Sequence, residues 1–145
     1  MNKENTQAFL DSTFDSWFVP GLSDFVRVPN LTPMVDPDYL TNGKLDQAIE
    51  CVDTYVRELQ VAGLTRTVFR PEGKNPLIVY VVEGSSPQAK NVMVYGHLDK
   101  QPHFTGWDEG LSPIDPVIKD GKMYGRGSSD DGYSVFACML AVKAG

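Results

Sequence analysis

Four apolar residues run directly into a short polar segment in the stretch Val92-Met93-Val94-Tyr95-Gly96-His97-Leu98-Asp99. The β-branched and aromatic side chains of its first half predict a strand, which we place at the centre of a sheet. His97 and Asp99 are two residues apart, so their side chains share one face if the strand continues through them. Because open α/β sheets bind ligands at the carboxyl ends of their strands, the stretch predicts a site at His97 and Asp99.

The flanking segments supply the helices of an α/β fold. Residues 5–18 carry apolar side chains at helical spacing, and the Pro20-Gly21 pair predicts the end of this first helix. A second apolar stripe, with steps of four and three, predicts a helix over residues 45–59 that Gly63 caps. Residues 132–145 are apolar almost all round, which predicts a buried final helix.

Between the helices the periodicity changes to that of strands. Residues 65–70 and 77–82 are rich in β-branched side chains, and the continuous apolar run of 77–82 predicts a strand covered on both faces. Asp120-Gly121 lies between two short apolar pairs and predicts a β-hairpin. The mixed order of helices and strands predicts one α/β domain over residues 1–145, a three-layer mixed sheet with flanking helices.

The bulk composition argues against several partners and locations. The 145 residues include 13 basic and 19 acidic side chains, and the net charge of -6 argues against nucleic acid and anionic membranes as partners. Residues 1–7 lack the apolar core of a secretion signal, and no apolar run reaches the ~20 residues that span a bilayer. Cys51 and Cys138 lie in helix-like apolar segments and are predicted to be reduced thiols, so we expect a cytoplasmic protein.

The His97-Leu98-Asp99 spacing allows several interpretations. Both polar side chains can bind a metal ion, or His97 binds it while Asp99 holds the other ring nitrogen and fixes the tautomer. A histidine that is hydrogen-bonded to a nearby aspartate, with no metal, has the same spacing.

A second polar feature is the glycine-rich stretch Gly125-Arg126-Gly127-Ser128-Ser129-Asp130-Asp131-Gly132. Its two adjacent carboxylates repel each other, and burying either is costly unless a cation is bound nearby. They also precede the last predicted helix, where an aspartate is a favourable N-cap. One aspartate can cap that helix while the other binds a metal ion.

Other catalytic motifs do not fit the sequence. The Gly-x-Gly pattern of residues 125–127 lacks the third glycine of a dinucleotide fingerprint and does not follow a first strand. Ser128 and Ser129 are not in a G-x-S-x-G elbow, and nothing specific pairs His103 with a serine or cysteine nucleophile. Trp107 and the acids that follow it are predicted to form a packed loop.

Three stretches, taken in order along the chain, carry a family resemblance. They are residues 94–102, which contain Gly96-His97-Leu98-Asp99, then Gly106-Trp107-Asp108, then residues 120–131, which contain the paired aspartates. Together they resemble the carnosine dipeptidase and cytosolic nonspecific dipeptidase branch of the family that includes aminoacylases, carboxypeptidase G and desuccinylases. Residues 25–33 resemble the segment after that family's first helix, so the resemblance covers nearly the whole chain. Lys100 and the Gly132-Tyr133 pair depart from the family pattern beside the site, which puts the substrate preference in doubt.

The resemblance implies a role for each site residue. His97 would be a terminal ligand of one zinc ion, Asp130 would bridge two zinc ions, and Asp99 would serve catalysis by orienting His97. The peptide bond between Asp130 and Asp131 is typically cis in that family. The glutamate general base and the remaining ligands of the family lie downstream of the bridging aspartate and are not among these 145 residues.

The activity that the resemblance implies is hydrolysis of the peptide bond of dipeptides or small peptides by a water that two zinc ions activate, with Mn²⁺ as a possible replacement. The implied fold is the zinc-peptidase (phosphorylase/hydrolase-like) catalytic domain. Residues 1–145 are expected to be its N-terminal portion, without the lid/dimerisation domain that makes the full-length protein a homodimer, and to be inactive alone. The alternatives are an N-acyl amino acid amidohydrolase and a truncated, non-catalytic paralogue that acts by binding.

Overall fold

The computed structural model describes residues 2–130 and 132–145. Within these ranges helices and strands both occur, with the first helices before four strands and a last helix after them. In chain order they are α1 (Lys3–Thr13), a π-helical turn (Phe14–Phe18), α2 (Val19–Arg27), α3 (Lys44–Glu58), β1 (Leu64–Phe69), β2 (Leu77–Val82), β3 (Val117–Lys119), β4 (Lys122–Tyr124) and α4 (Tyr133–Ala144).

The first helical region continues past the residues that were expected to end it. Pro20 is the second residue of α2, in the first turn, where a missing N–H is tolerated. The π-helical turn directly before it shifts the hydrogen-bond pattern by one residue, and the chain passes the proline without a break. The prediction that Pro20-Gly21 ends the helix is therefore wrong. Gly21 instead lets the Phe136 ring pack directly against the backbone of α2, because a Cβ at this position would lie 2.6 Å from Cε1 of Phe136.

The predicted second helix is confirmed as α3, although its predicted cap is wrong. The apolar stripe buries Ala48, Ile49, Val52 and Val56. The chain leaves the helix at Gln60, which has a φ of 49° and whose N–H bonds to the carbonyl of Arg57. Gly63, which was expected to cap the helix, lies in the turn before β1.

The strands form two antiparallel pairs. In one, β1 pairs with β2, with Thr67 opposite Val79; in the other, β3 pairs with β4. Asp120 and Gly121 join β3 to β4 with φ angles of 53° and 71°, the positive values that a tight hairpin turn requires. The hairpin predicted from Asp120-Gly121 is thus confirmed.

The predicted central strand is not formed. Residues 91–99 have no strand assignment, and Val92 and Met93 are 85% and 92% exposed. A strand needs a hydrogen-bonding neighbour, and within residues 2–130 and 132–145 the β-type pairing nearest to this stretch is an isolated parallel bridge between Leu31 and Lys100. The described residues therefore hold two separate two-stranded sheets where one mixed sheet was expected. The expected cover on both faces of β2 is also absent, since Leu77 is 54% exposed.

The core lies between α2, α3 and α4. Phe136 of α4 is fully buried, and its ring meets those of Trp17, Phe25 and Tyr55 edge to face at centroid distances of 5.7, 6.4 and 6.1 Å. The last helix is buried on one side only, because Tyr133 remains partly exposed. Among the described residues, the helices are all too short or too polar to cross a membrane.

Candidate metal centre

His97 and Asp99 lie together, as their spacing predicts. The His97 Nδ1 atom is 3.0 Å from the backbone oxygen of Asp99 and 3.2 Å from its carboxylate Oδ1. Both of these oxygens are acceptors, so Nδ1 has to carry the proton that they share. In the neutral imidazole this arrangement places the lone pair on Nε2, the nitrogen that a metal ion would bind.

Asp130 lies on the Nε2 side of the imidazole. Its Oδ1 atom is 3.6 Å from Nε2 of His97, longer than a normal hydrogen bond. A lone pair and a carboxylate oxygen that face each other repel unless a proton or a cation lies between them. The structure thus brings His97 and Asp130 together, as the ligand roles implied by the resemblance require, and those roles stay a prediction.

The donor set and its spacing fit a zinc ion. Imidazole nitrogen and carboxylate oxygen bind zinc at ~2.0–2.2 Å, so two such ligands of one tetrahedral ion are about 3.4 Å apart. The observed distance of 3.6 Å is close to that value. Within residues 2–130 and 132–145, no group of three or more His, Cys, Asp or Glu side chains is placed to hold a metal ion. The described residues thus supply two candidate ligands, His97 and Asp130, with Asp99 behind the imidazole.

A glycine-rich loop between β4 and α4 carries Asp130. The N–H of Arg126 donates to the carbonyl of Pro113 at 2.8 Å, and the hydroxyl of Ser128 donates to the carbonyl of Gly125 at 2.9 Å. Gly127 has a φ of 89°, a conformation that side chains rarely adopt. These contacts fold the loop back on the β3–β4 hairpin before Asp130, which is 61% exposed.

The N-cap position of α4 is occupied by Gly132, so Asp130 does not take it. Asp131, the other candidate cap, and the cis bond expected between Asp130 and Asp131 lie outside the described residues.

Lys100 is not part of the site, although the sequence places it beside His97 and Asp99. The residue is 1% exposed, and its amine lies among backbone carbonyls at the end of α2. The departure from the family pattern at Lys100 is therefore buried at the end of α2. Sequence reasoning missed this buried position; the signal available was a lone lysine in a segment whose neighbours Leu98 and Pro102 are apolar.

The loop after Lys100 is packed, as predicted for Trp107. The indole Nε1–H of Trp107 donates to the carbonyl of His103 at 2.9 Å, and the Arg126 guanidinium lies 5.3 Å from the ring centroid of Phe104. Burial lowers the pKa of His103 below its usual value, and the nearby cationic Lys100 and Arg126 act in the same direction.

Comparisons with known proteins give a consistent family. The family model of peptidase family M20/M25/M40 matches residues 93–144, the segment that contains His97 and Asp130. A metallohydrolase of Methanocaldococcus jannaschii with no characterised function is 28% identical over 130 residues, 83% of this chain and 30% of that protein. The human Beta-Ala-His dipeptidase is 38% identical over 77 residues, 51% of this chain and 15% of that protein.

A solved structure agrees with these sequences. The crystal structure of human carnosine dipeptidase 1 superposes with a TM-score of 0.73 at 27% identity, over 97% of this chain and 30% of that chain. This likeness confirms the α/β fold class that was predicted for the present chain. The present chain spans less than a third of the length of each of these three proteins. The chain is therefore similar to metallopeptidases: residues 93–144 match peptidase family M20/M25/M40, and dipeptidases are among its relatives in sequence and in structure.

Proposed function

We propose that this chain supplies part of the metal centre of a peptidase that hydrolyses the peptide bond of dipeptides or small peptides. The observation that carries the proposal is the distance of 3.6 Å between two possible metal-binding atoms, His97 Nε2 and Asp130 Oδ1. The family match over residues 93–144, which include both side chains, and the similarity to dipeptidases support the same reaction.

In this proposal His97 would hold a zinc ion through Nε2, and Asp130 would supply carboxylate oxygens to the same centre of two zinc ions. Metal ions bound there would lower the pKa of a bound water and polarise the carbonyl of the peptide bond. Mn²⁺ could take the place of zinc, because imidazole and carboxylate also bind that ion.

Asp99 is proposed to act through His97. Its backbone oxygen and carboxylate both accept from Nδ1–H, so they fix the ring orientation. They also make Nε2 more basic and therefore a stronger ligand for a metal ion. The carboxylates of Asp99 and Asp130 lie on opposite sides of one imidazole, and their negative charges favour a cation at this place.

Two protein donors are fewer than a zinc centre requires, since catalytic zinc usually has three. We therefore propose that the remaining ligands and a general base come from a longer protein, and that the 145 residues alone bind zinc weakly and do not hydrolyse peptides. The half-buried thiols of Cys51 and Cys138 are compatible with the reducing cytoplasm that we propose as its location.

The experiment is a hydrolysis assay on the longest translated product that contains residues 1–145. The protein is stripped with a chelator, loaded with Zn²⁺ or Mn²⁺, and offered β-alanyl-histidine, Cys-Gly and a set of N-acyl amino acids. Dipeptide hydrolysis that His97→Ala lowers by more than about a hundredfold would support the proposal. Asp108→Asn, which changes an exposed carboxylate in the same part of the chain, is the matched control and should keep full activity.

Two other results are informative. Hydrolysis of N-acyl amino acids in place of dipeptides would show that the amide-bond chemistry is right and the substrate class wrong. A metal-loaded protein that cleaves neither class of substrate would refute the proposed function.

A further inference from the structure

The Lys100 amine is held at the end of α2 by three backbone carbonyls. Its Nζ donates to the carbonyl oxygens of Phe25, Val26 and Val28 at 2.5, 3.2 and 2.6 Å. The last carbonyls of a helix lack the usual N–H partner four residues on, and here the Phe25 carbonyl accepts a second bond, from the N–H of Val28 at 3.1 Å. A cation there also matches the negative end of the helix dipole. Nζ lies 4.2 Å from the ring centroid of Phe25, which adds a cation–π contact.

The backbone around Lys100 is tied to the segment that follows α2. The Lys100 carbonyl accepts from the N–H of Thr32 at 2.8 Å, and Lys100 pairs with Leu31 in the parallel bridge. The buried Asn30 side chain donates through Nδ2 to the carbonyl of Leu98 at 2.7 Å. Residues 98–100, which directly follow His97, are therefore anchored by both their backbone and the Lys100 side chain.

The Asp130 loop rests on the same lysine. A Cβ at Gly127 would lie 2.8 Å from Cε of Lys100, so the loop backbone is in direct contact with the lysine stem three residues before Asp130. Two residues after Asp130, a Cβ at Gly132 would lie 2.1 Å from Cε1 of Phe25. The backbone before Asp130 thus packs against Lys100, and the backbone after it packs against Phe25.

From these contacts we infer that Lys100 is a positioning residue, which holds the His97 segment and the Asp130 loop in the geometry that brings Nε2 and Oδ1 together. A role of Lys100 in catalysis rests on the proposed metal centre. Its effect on the positions of His97 and Asp130 does not depend on that proposal. The amine donates three hydrogen bonds when protonated and two when neutral, so it anchors the segment in either state.

The direct consequence is the tautomer of His97. The carbonyl of Asp99, directly before Lys100, accepts from Nδ1–H of the imidazole. If Lys100 fixes that carbonyl, the Nδ1–H tautomer depends on Lys100. A lysine that only fills space in the core would affect the stability of the fold and leave the tautomer unchanged.

The test measures the ¹⁵N resonances of the His97 imidazole in the metal-free chain by NMR, under conditions where His97 is neutral. Lys100→Met keeps the length of the side chain and removes every donor, while Lys100→Gln keeps two N–H donors on a shorter chain. Val52→Ala is the matched control, because it removes fully buried apolar volume from α3 away from the site. Circular dichroism selects conditions in which each variant is folded.

We expect the Nδ1–H tautomer in the wild type and in Val52→Ala, a mixture of tautomers in Lys100→Met, and a smaller change in Lys100→Gln. If Lys100→Met does not fold, the comparison of Lys100→Gln with Val52→Ala decides. A His97 tautomer that is the same in the lysine variants as in the control would overturn the inference, as would a wild type that lacks the Nδ1–H form.

Zinc titration separates this inference from the proposed function. In folded protein, Lys100→Met should weaken zinc binding about tenfold, while Val52→Ala should leave it unchanged. If the wild type binds zinc no better than His97→Ala, the proposed metal centre fails. The tautomer result still decides the role of Lys100 in that case.

Discussion

Replacement of Lys100 by methionine should remove a pH dependence of stability that the buried amine creates. Burial lowers the pKa of Lys100 from its ordinary value of 10.5 to about 7. The unfolded chain keeps this proton up to about pH 10.5, whereas the folded chain releases it near pH 7. Between these two values the unfolded state binds more protons, so the free energy of unfolding of the wild type rises with pH across this window.

The size of the effect follows from the width of the window. One proton difference changes the free energy of unfolding by ~1.4 kcal/mol per pH unit, and partial titration near pH 7 reduces the total between pH 7 and 9 to about 2 kcal/mol. Lys100→Met has no such proton. It also removes the Lys100 donor from three carbonyls, of which that of Phe25 keeps the N–H of Val28. Each carbonyl left unsatisfied costs about 1–3 kcal/mol.

The assay is urea unfolding of the wild type and Lys100→Met at pH 7 and pH 9. Groups that titrate equally in both proteins cancel when the two free energies of unfolding are subtracted. The difference between the proteins should be larger at pH 9 by about 2 kcal/mol. A difference that does not change with pH would show that the carbonyls and the Phe25 ring keep Lys100 protonated, and would refute this reasoning.

Two further substitutions test the packing and the backbone. Gly132→Ala should lower the free energy of unfolding, measured with urea, by about 1–3 kcal/mol, because the new Cβ would lie 2.1 Å from Cε1 of Phe25. An unchanged urea midpoint would show that α4 does not pack so closely on Phe25. Gln60→Gly should raise the melting temperature by a few degrees, since the φ of 49° after α3 costs about 1 kcal/mol in a residue with a side chain; a lower melting temperature would contradict the strain at Gln60.

Local patterns in the sequence predicted the elements that form from local interactions. The apolar stripe of α3 needs only its own periodicity, and the hairpin turn at Asp120-Gly121 needs only two residues that accept positive φ. The interpretation of Pro20 failed because a single π-helical turn before it changed the hydrogen-bond pattern, and no residue pattern in Phe14–Phe18 signals that turn.

Features that depend on distant partners were beyond local patterns. The stretch from Val92 to Tyr95 has the composition of a strand, but a strand forms only beside another one. Lys100 was placed near the site because it is close to it in sequence. Its true position is set by the carbonyls of Phe25 and Val28, more than seventy residues earlier.

The candidate site was predictable in part. The two-residue spacing of His97 and Asp99 suggested that they act together, and the family resemblance joined them to Asp130. The support that the site receives from the Lys100–Phe25 pair and from Gly127 and Gly132 became visible only in three dimensions.

The central claim is that His97 and Asp130 bind one metal ion together, and a double-mutant cycle of zinc binding tests it most directly. Isothermal titration of Zn²⁺ into the wild type, His97→Ala, Asp130→Asn and the double variant gives four binding free energies. If the two side chains bind the same ion, each single variant should lose at least about tenfold in affinity, or ~1.4 kcal/mol, and the double variant should lose little more than either. Losses that add independently, or a wild type that binds zinc no better than the double variant, would contradict the account.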